Sequence, residues 1–143
     1  MKLLFLVLVA TLLGAATLKG TGASHAEMPA EPALTEREQM RGRLLFMQCR
    51  ACHAVTGDVG ERIGPSLVGI FGQPAASVEG YEQYSDQLQS AKFVWEDATM
   101  DEWIRSPATM VPGNLMAYGG MASESDRQLL VRYLRKITEP AAD

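Results

Sequence analysis

The chain has 143 residues, one domain's length, and 47% of them are hydrophobic, which excludes a disordered chain and leaves enough apolar side chain for one core. A formal charge of −4 argues against nucleic acid as the main partner. Two cysteines exclude a disulfide-dense scaffold and a four-thiolate zinc site.

Residues 1–26 hold no acid and only two bases, Lys2 and Lys19. Residues 3–18 form an uncharged apolar run, short of the ~20 residues that a membrane-spanning helix needs. A leading base, an apolar run and the small-x-small tripeptide Ser24-His25-Ala26 are the parts of a secretory signal. The reading is a signal peptide over 1–26, cleaved after Ala26; the alternative is a retained membrane anchor. Cleavage removes Lys2, Lys19 and His25 and takes the formal charge from −4 to −6. Export also places Cys49 and Cys52 in an oxidising compartment.

Residues 27–34, rich in Pro and Ala, read as a flexible leader, 35–139 as the folded domain and 140–143 as a tail. Thr35-x-x-Glu38 is a capping box that opens a helix carrying Met40, Leu44, Leu45 and Met47 towards Cys49. Core packing is the default for Met40, Met47 and Met100. Residues 55–80 hold six glycines and two prolines, a loop composition. Residues 81–90 suit a short helix. Thr99-x-x-Glu102 reads as a second capping box, opening a helix with Met100, Trp103 and Ile104 that stops at Ser106-Pro107. Pro112-Gly113 marks a turn. Ser123-x-x-Asp126 caps a last helix whose apolar face is Leu130, Tyr133, Leu134 and Ile137. No strand and no repeat is expected. The class is all-α, with short helices and loops long enough to need something that orders them.

Cys49-Arg50-Ala51-Cys52-His53 is C-x-x-C-H, the attachment signature for c-type haem. The i, i+3 spacing sets both thiols on one face of a turn, where each can add to a haem vinyl group. His53 then lies beneath the iron as proximal ligand. A thioredoxin-like pair or a plain disulfide leaves the histidine unexplained, and no βαβ pattern surrounds the motif. Zinc fails because His25 and the two thiols lack ligand spacing. Without the signal, His53 is the one histidine left, so a second histidine ligand is excluded and methionine is the alternative. Met116 sits in a Pro- and Gly-rich strap, residues 112–120, with Met110 and Met121 flanking it.

From about Glu36 to Thr138 the chain resembles class I cytochromes c, especially bacterial periplasmic relatives of the mitochondrial carrier. The resemblance rests on motifs in order: Gly42-x-x-x-Phe46, the C-x-x-C-H at 49–53, Gly64-Pro65-Ser66-Leu67-x-Gly69-Ile70-Phe71-Gly72, Tyr84-Ser85-Asp86, Trp95, the Met116 strap, and Leu130-x-x-Tyr133-Leu134. It implies a small all-α cytochrome c fold wrapped around one haem c, bound covalently through Cys49 and Cys52. It implies Met116 as distal ligand and a Pro65 carbonyl that accepts the Nδ1–H of His53. Tyr84, Trp95 and Asn114 would hydrogen-bond the haem propionates. Gly42 would let the first helix approach the last near Tyr133, with Phe46 and Leu130 in the core. Two positions depart from the family. Gln73 stands where relatives commonly carry an Arg near the propionates. Trp103 stands where they often have a Tyr near the methionine ligand, and so would line the distal pocket.

The function the resemblance implies is one-electron transfer by a periplasmic mono-haem carrier, not an enzyme, in a respiratory or photosynthetic chain. It would work as a monomer with redox proteins as donor and acceptor, and with no nucleic acid. Arg43, Arg50, Arg62, Lys92 and Arg105 could rim the haem edge. The alternatives are a cytochrome anchored to the outer face of the inner membrane, a haem subunit of a larger complex, and a peroxidase-like enzyme were the Met ligand labile.

Overall fold

Thr35 caps the first helix. In the computed structural model, which describes residues 32–56 and 62–140, the Thr35 hydroxyl accepts from the Glu38 N–H while the Glu38 carboxylate accepts from the Thr35 N–H, closing the capping box. Helix α1 (Glu36–Arg50) comes next and delivers Cys49 in its last turn. The signal sequence at 1–26, residues 27–31 of the leader, Gly57, Gly60 and the last three residues of the tail lie outside the described residues.

Gly42 and Phe46 are the buried positions of α1, and Cys49, one turn on from Phe46, is partly buried. Met40, Leu44 and Met47 lie on the opposite face, 70%, 66% and 58% exposed. The expected core packing of Met40 and Met47 is therefore corrected, whereas Met100 is buried. The reason is that a glycine, not a large side chain, makes the tightest contact. A Cβ on Gly42 would fall 2.6–2.8 Å from the Tyr133 side chain, so only glycine lets α1 cross the last helix this closely.

That last helix, α5 (Glu124–Thr138), is capped by Ser123, whose hydroxyl accepts from the Asp126 N–H. Leu130, Val131 and Leu134 are buried, and α5 packs against both α1 and α3. Tyr133 and Ile137 flank this stripe, partly buried. Helix α2 (Asp86–Ser90) is one short turn capped by Ser85. Helix α3 (Asp97–Arg105) begins earlier than the Thr99-x-x-Glu102 pattern suggests. The Thr99 hydroxyl accepts from the Glu96 N–H, so Thr99 closes the first turn from inside rather than capping it. Ser106 ends α3, and Pro107 opens a further turn, α4 (Pro107–Met110), with its fixed φ at the first helical position.

Among the described residues there is no strand. Residues 72–75 and 93–95 form a short antiparallel contact with one bridge, Pro74 to Val94. Its bonds run from Gly72 N to Trp95 O (2.8 Å), Trp95 N to Gln73 O (2.9 Å) and Ala75 N to Phe93 O (3.0 Å). This clip fixes Trp95 over the core. No helix among the described residues is long and apolar enough to cross a membrane.

Candidate functional site

The end of α1 and the turn after it build one wall of a central cavity. The Cys49 carbonyl accepts from the N–H groups of Cys52 (3.1 Å) and His53 (2.9 Å), which coils 49–53 into a tight turn. Both cysteines are free and partly buried. Burial, reinforced by the neighbouring Cys52, pushes the Cys49 thiol up to about 11.

The chain then folds back over His53. Gly64 N donates to Cys52 O (3.0 Å) and Leu67 N to Ala54 O (2.8 Å), so residues 64–67 lie against the imidazole. A Cβ on Gly64 would sit 2.5 Å from His53 Cε1, which explains a glycine here by close approach. His53 Nδ1 lies 2.8 Å from the Pro65 carbonyl. A carbonyl can only accept, so Nδ1 carries the proton and Nε2 keeps its lone pair. Burial lowers the pKa of His53, and the Pro65 bond opposes this in part. The ring is thus neutral and oriented, the state a metal requires.

The opposite wall is the strap. Asn114 organises it: its amide donates to Val111 O (2.9 Å) and its carbonyl oxygen accepts from Met116 N (2.9 Å). Gly113 and Gly120 adopt positive φ, and Met121 N donates to Ile104 O (2.9 Å). A Cβ on Gly120 would collide with the Arg105 carbonyl at 2.3 Å, so the strap's far end is pressed onto the end of α3. Met116 is presented between these two fixed ends. Met110 and Met121 do not line the cavity; the methionines that do are Met116 and Met100.

Aromatic side chains close the third side. Trp95 and Trp103 are buried and pack edge-to-face, centroids 5.6 Å apart, with Phe93 edge-on to Trp95 at 4.8 Å. Tyr84 packs edge-on to Tyr81 at 4.7 Å. Its pKa is raised by burial, opposed by the Val78 N–H and reinforced by Tyr81. Gln73 is exposed and does not line the cavity.

All nine site residues expected from the sequence line this one cavity: Cys49, Cys52, His53, Pro65, Tyr84, Trp95, Trp103, Asn114 and Met116. Met100 and Tyr118 are among the other lining residues, which the sequence reading does not place at the site. Met100 reads as plain core, and Tyr118 is not singled out at all. Tyr118 Oη is buried without a hydrogen-bond partner among the described residues. Its signal is present in the sequence: a tyrosine beside two glycines, two positions from the candidate ligand.

The cavity measures about 230 Å³ and its lining is mainly apolar. The residues fit a large, flat, mainly apolar group. Two thiols stand side by side at its edge, an imidazole and a thioether line it, and a buried hydroxyl has no protein partner.

No family model matches the chain. Curated relatives do. A cytochrome c of Gibberella zeae is 39% identical over 100 residues, 69% of this chain and 93% of that protein. Cytochrome c2 of Rhodoblastus acidophilus is 36% identical over 93 residues, 65% of this chain and 86% of its own length. Cytochrome c-554 of Methylosinus trichosporium is 34% identical over 105 residues, 73% of this chain and 79% of its own.

Proposed function

The chain belongs to the class I c-type cytochromes, all-α electron-transfer proteins with covalent haem c, here joined through Cys49 and Cys52, and on that footing we propose that His53 and Met116 ligate the iron of a soluble, exported carrier. The observation that carries the ligation is the His53–Pro65 bond of 2.8 Å, which leaves Nε2 as the coordinating nitrogen in a cavity that Met116 also lines. Met116 is preferred to Met100 because Met100 is locked in α3, 5% exposed, while Met116 is only partly buried and sits in the strap, its N–H held by Asn114.

When bound, the haem supplies the one-electron ferric/ferrous couple. The protein's part is to hold still. Cys49 and Cys52 fix the edge, Pro65 fixes the imidazole plane, and Asn114 fixes the strap. With His53 and Met116 retained in each state, little would have to rearrange. A methionine ligand and an apolar lining both favour the ferrous state and raise the potential. Trp95, Tyr84 and the second amide hydrogen of Asn114 would be the donors for the propionates. Trp103 lines the distal side, where its indole N–H can donate to the thioether sulfur. Gln73 brings no charge to the propionates.

The domain runs over 35–139, preceded by a cleaved signal at 1–26. On this reading the chain is a monomeric carrier of the periplasm, exchanging electrons with redox proteins of a respiratory or photosynthetic chain. Arg43, Arg50, Arg62, Lys92 and Arg105 are available to orient a partner, with Arg105 also near Glu102 (3.6 Å). The N-terminal mass of the native protein separates the free carrier from an anchored one.

The test of ligation is an absorption spectrum of the exported protein, oxidised and reduced. The far-red charge-transfer band of Met-ligated ferric haem is expected in the wild type and absent in Met116→Ala. A high-spin wild type that binds cyanide rapidly would overturn the reading in favour of a labile distal site.

A further inference from the structure

Helix α1 has two apolar stripes, and the fold covers one. Gly42 and Phe46 turn into the core, with Cys49 one turn on. Met40, Leu44 and Met47, at spacings of four and three residues, form a second stripe on the exposed side. Single exposed apolar residues are ordinary, but a contiguous stripe marks a contact surface. None of the three lines the central cavity. The other exposed side chains of α1 are Glu36, Arg37, Arg41, Arg43, Gln48 and Arg50, four arginines against one acid. Arg41 is paired with Asp126 on α5. Arg37, Arg43 and Arg50 have no acidic partner among the described residues. By helical spacing, Arg43 and Arg50 border the stripe on one side and Arg37 on the other. Elsewhere the charge is reversed. Residues 79–102 hold seven acids against one base, Lys92, and neither α2 nor α3 packs on α1. A chain of net charge −4 thus carries a basic, apolar helix face.

We propose that the outer face of α1 is a docking surface, separate from the cavity, for a redox protein that offers an apolar groove with an acidic rim. The inference rests on the electron-carrier reading above. Residues i, i+4 and i+7 are the positions by which a helix seats its side chains in a partner's groove. Methionine suits the task, since its flexible thioether fills grooves of irregular shape. The unpaired arginines supply the complement to an acidic rim, while the acids of 79–102 repel the same partner and so turn it towards α1. Three side chains make a small contact, of the transient redox class below about 1,200 Å². The stripe also runs on the helix whose last turn carries Cys49, so a partner seated there stands beside the haem attachment. A lipid surface fits less well. A helix lying in a membrane uses a wide apolar face with Trp, Phe and Leu. This stripe is narrow, two of its three residues are methionine, and the sole aromatic of α1, Phe46, is buried.

The experiment follows oxidation and reduction of the holoprotein by detergent-solubilised membranes of its source organism, so that no bilayer remains. Two variants are compared with wild type: the apolar triple Met40→Gln, Leu44→Gln, Met47→Gln, and the basic triple Arg37→Gln, Arg43→Gln, Arg50→Gln. The apolar triple should raise KM between about threefold and tenfold in at least one direction, with kcat unchanged, as expected for lost burial of small apolar side chains. Its rate with ferricyanide, which needs no docking, should equal that of wild type. The basic triple should raise KM less and flatten its dependence on salt. An unchanged KM in both directions overturns the proposal, and so does an equal loss of rate with ferricyanide. Binding of wild type to phosphatidylglycerol vesicles that the apolar triple loses, with KM in detergent unchanged, overturns it in favour of a lipid surface. A wild type that is turned over in neither direction overturns the carrier reading itself, a distinct result.

Discussion

Arg127 on α5 donates from Nε to the Asp101 carboxylate on α3 at 3.0 Å, and does so from the protein interior, its side chain 8% exposed. The same guanidinium donates from Nη1 to the carbonyls of Met121 (3.0 Å) and Ala122 (2.8 Å). One buried cation thus ties the last helix to α3 and to the chain just beyond the strap. Arg127→Met keeps the stem but leaves two carbonyls and a half-buried carboxylate without their donor. A loss of about 2–3 kcal/mol is expected. Denaturant melting checks it, with the far-red band followed in parallel. Because the strap's end is released, the band should weaken at lower denaturant than global unfolding.

Gly42→Ala sets a helix gain against a steric clash. Alanine favours helix by ~1 kcal/mol over glycine. Its Cβ would meet Tyr133 at 2.6–2.8 Å, and overpacking costs about 1–3 kcal/mol. Net destabilisation is expected, and it should shrink in the Tyr133→Ala background, which removes Cγ and Cδ2, two of the three atoms in the way. A double-mutant cycle by thermal melting reads the coupling; simple additivity would refute the contact.

Gly64→Ala would press a methyl to within 2.5 Å of His53 Cε1. The imidazole must tilt or the 64–67 segment must lift, and either breaks the bond to Pro65. The expected product is a covalently loaded protein with a weakened proximal bond, seen as partial high-spin character. A normal low-spin spectrum would show that the ring has room to spare.

Acid should loosen the α1–α5 crossing. Asp126 is held below the usual carboxylate range first by its hydrogen bond to Arg41, and Glu38 first by the Thr35 N–H, then the Thr35 hydroxyl, then Arg132. For a carboxylate lowered on folding, the contribution is complete above the unfolded pKa and disappears as pH falls through the folded value. Stability should therefore decline below about pH 4, the ordinary carboxylate range. Asp126→Asn and Glu38→Gln should each flatten that decline by lowering neutral-pH stability by the same amount, a small one since the pairs are solvent-screened.

Met40, Leu44 and Met47 face solvent, so glutamine at each should change stability by less than about 0.5 kcal/mol. A large loss at any one would return it to the core.

These three residues also show where sequence reading fails. A search for large apolar side chains at helical spacing finds Met40, Leu44 and Met47, and passes over Gly42, whose role is to be small. Local signals are legible because they act locally: Thr35 and Ser123 each cap the helix directly after them. Thr99 misleads because a hydroxyl three residues before an acid can sit on either side of a first turn. The C-x-x-C-H at 49–53 carries its chemistry in one stretch. Tyr84, Trp95, Trp103, Asn114 and Met116, scattered over 33 positions, are gathered only by family resemblance. Arg127 is invisible, because nothing in its neighbours announces that a guanidinium will be buried.

Burial also changes what Cys49 can do as a nucleophile. With its pKa pushed up to about 11 by burial and then by Cys52, the free thiol of the folded chain is mostly protonated at neutral pH. In the unfolded chain the same thiol has an ordinary acidity. The surroundings that would shield a finished thioether thus make the free thiol a poorer nucleophile than it is in the open chain.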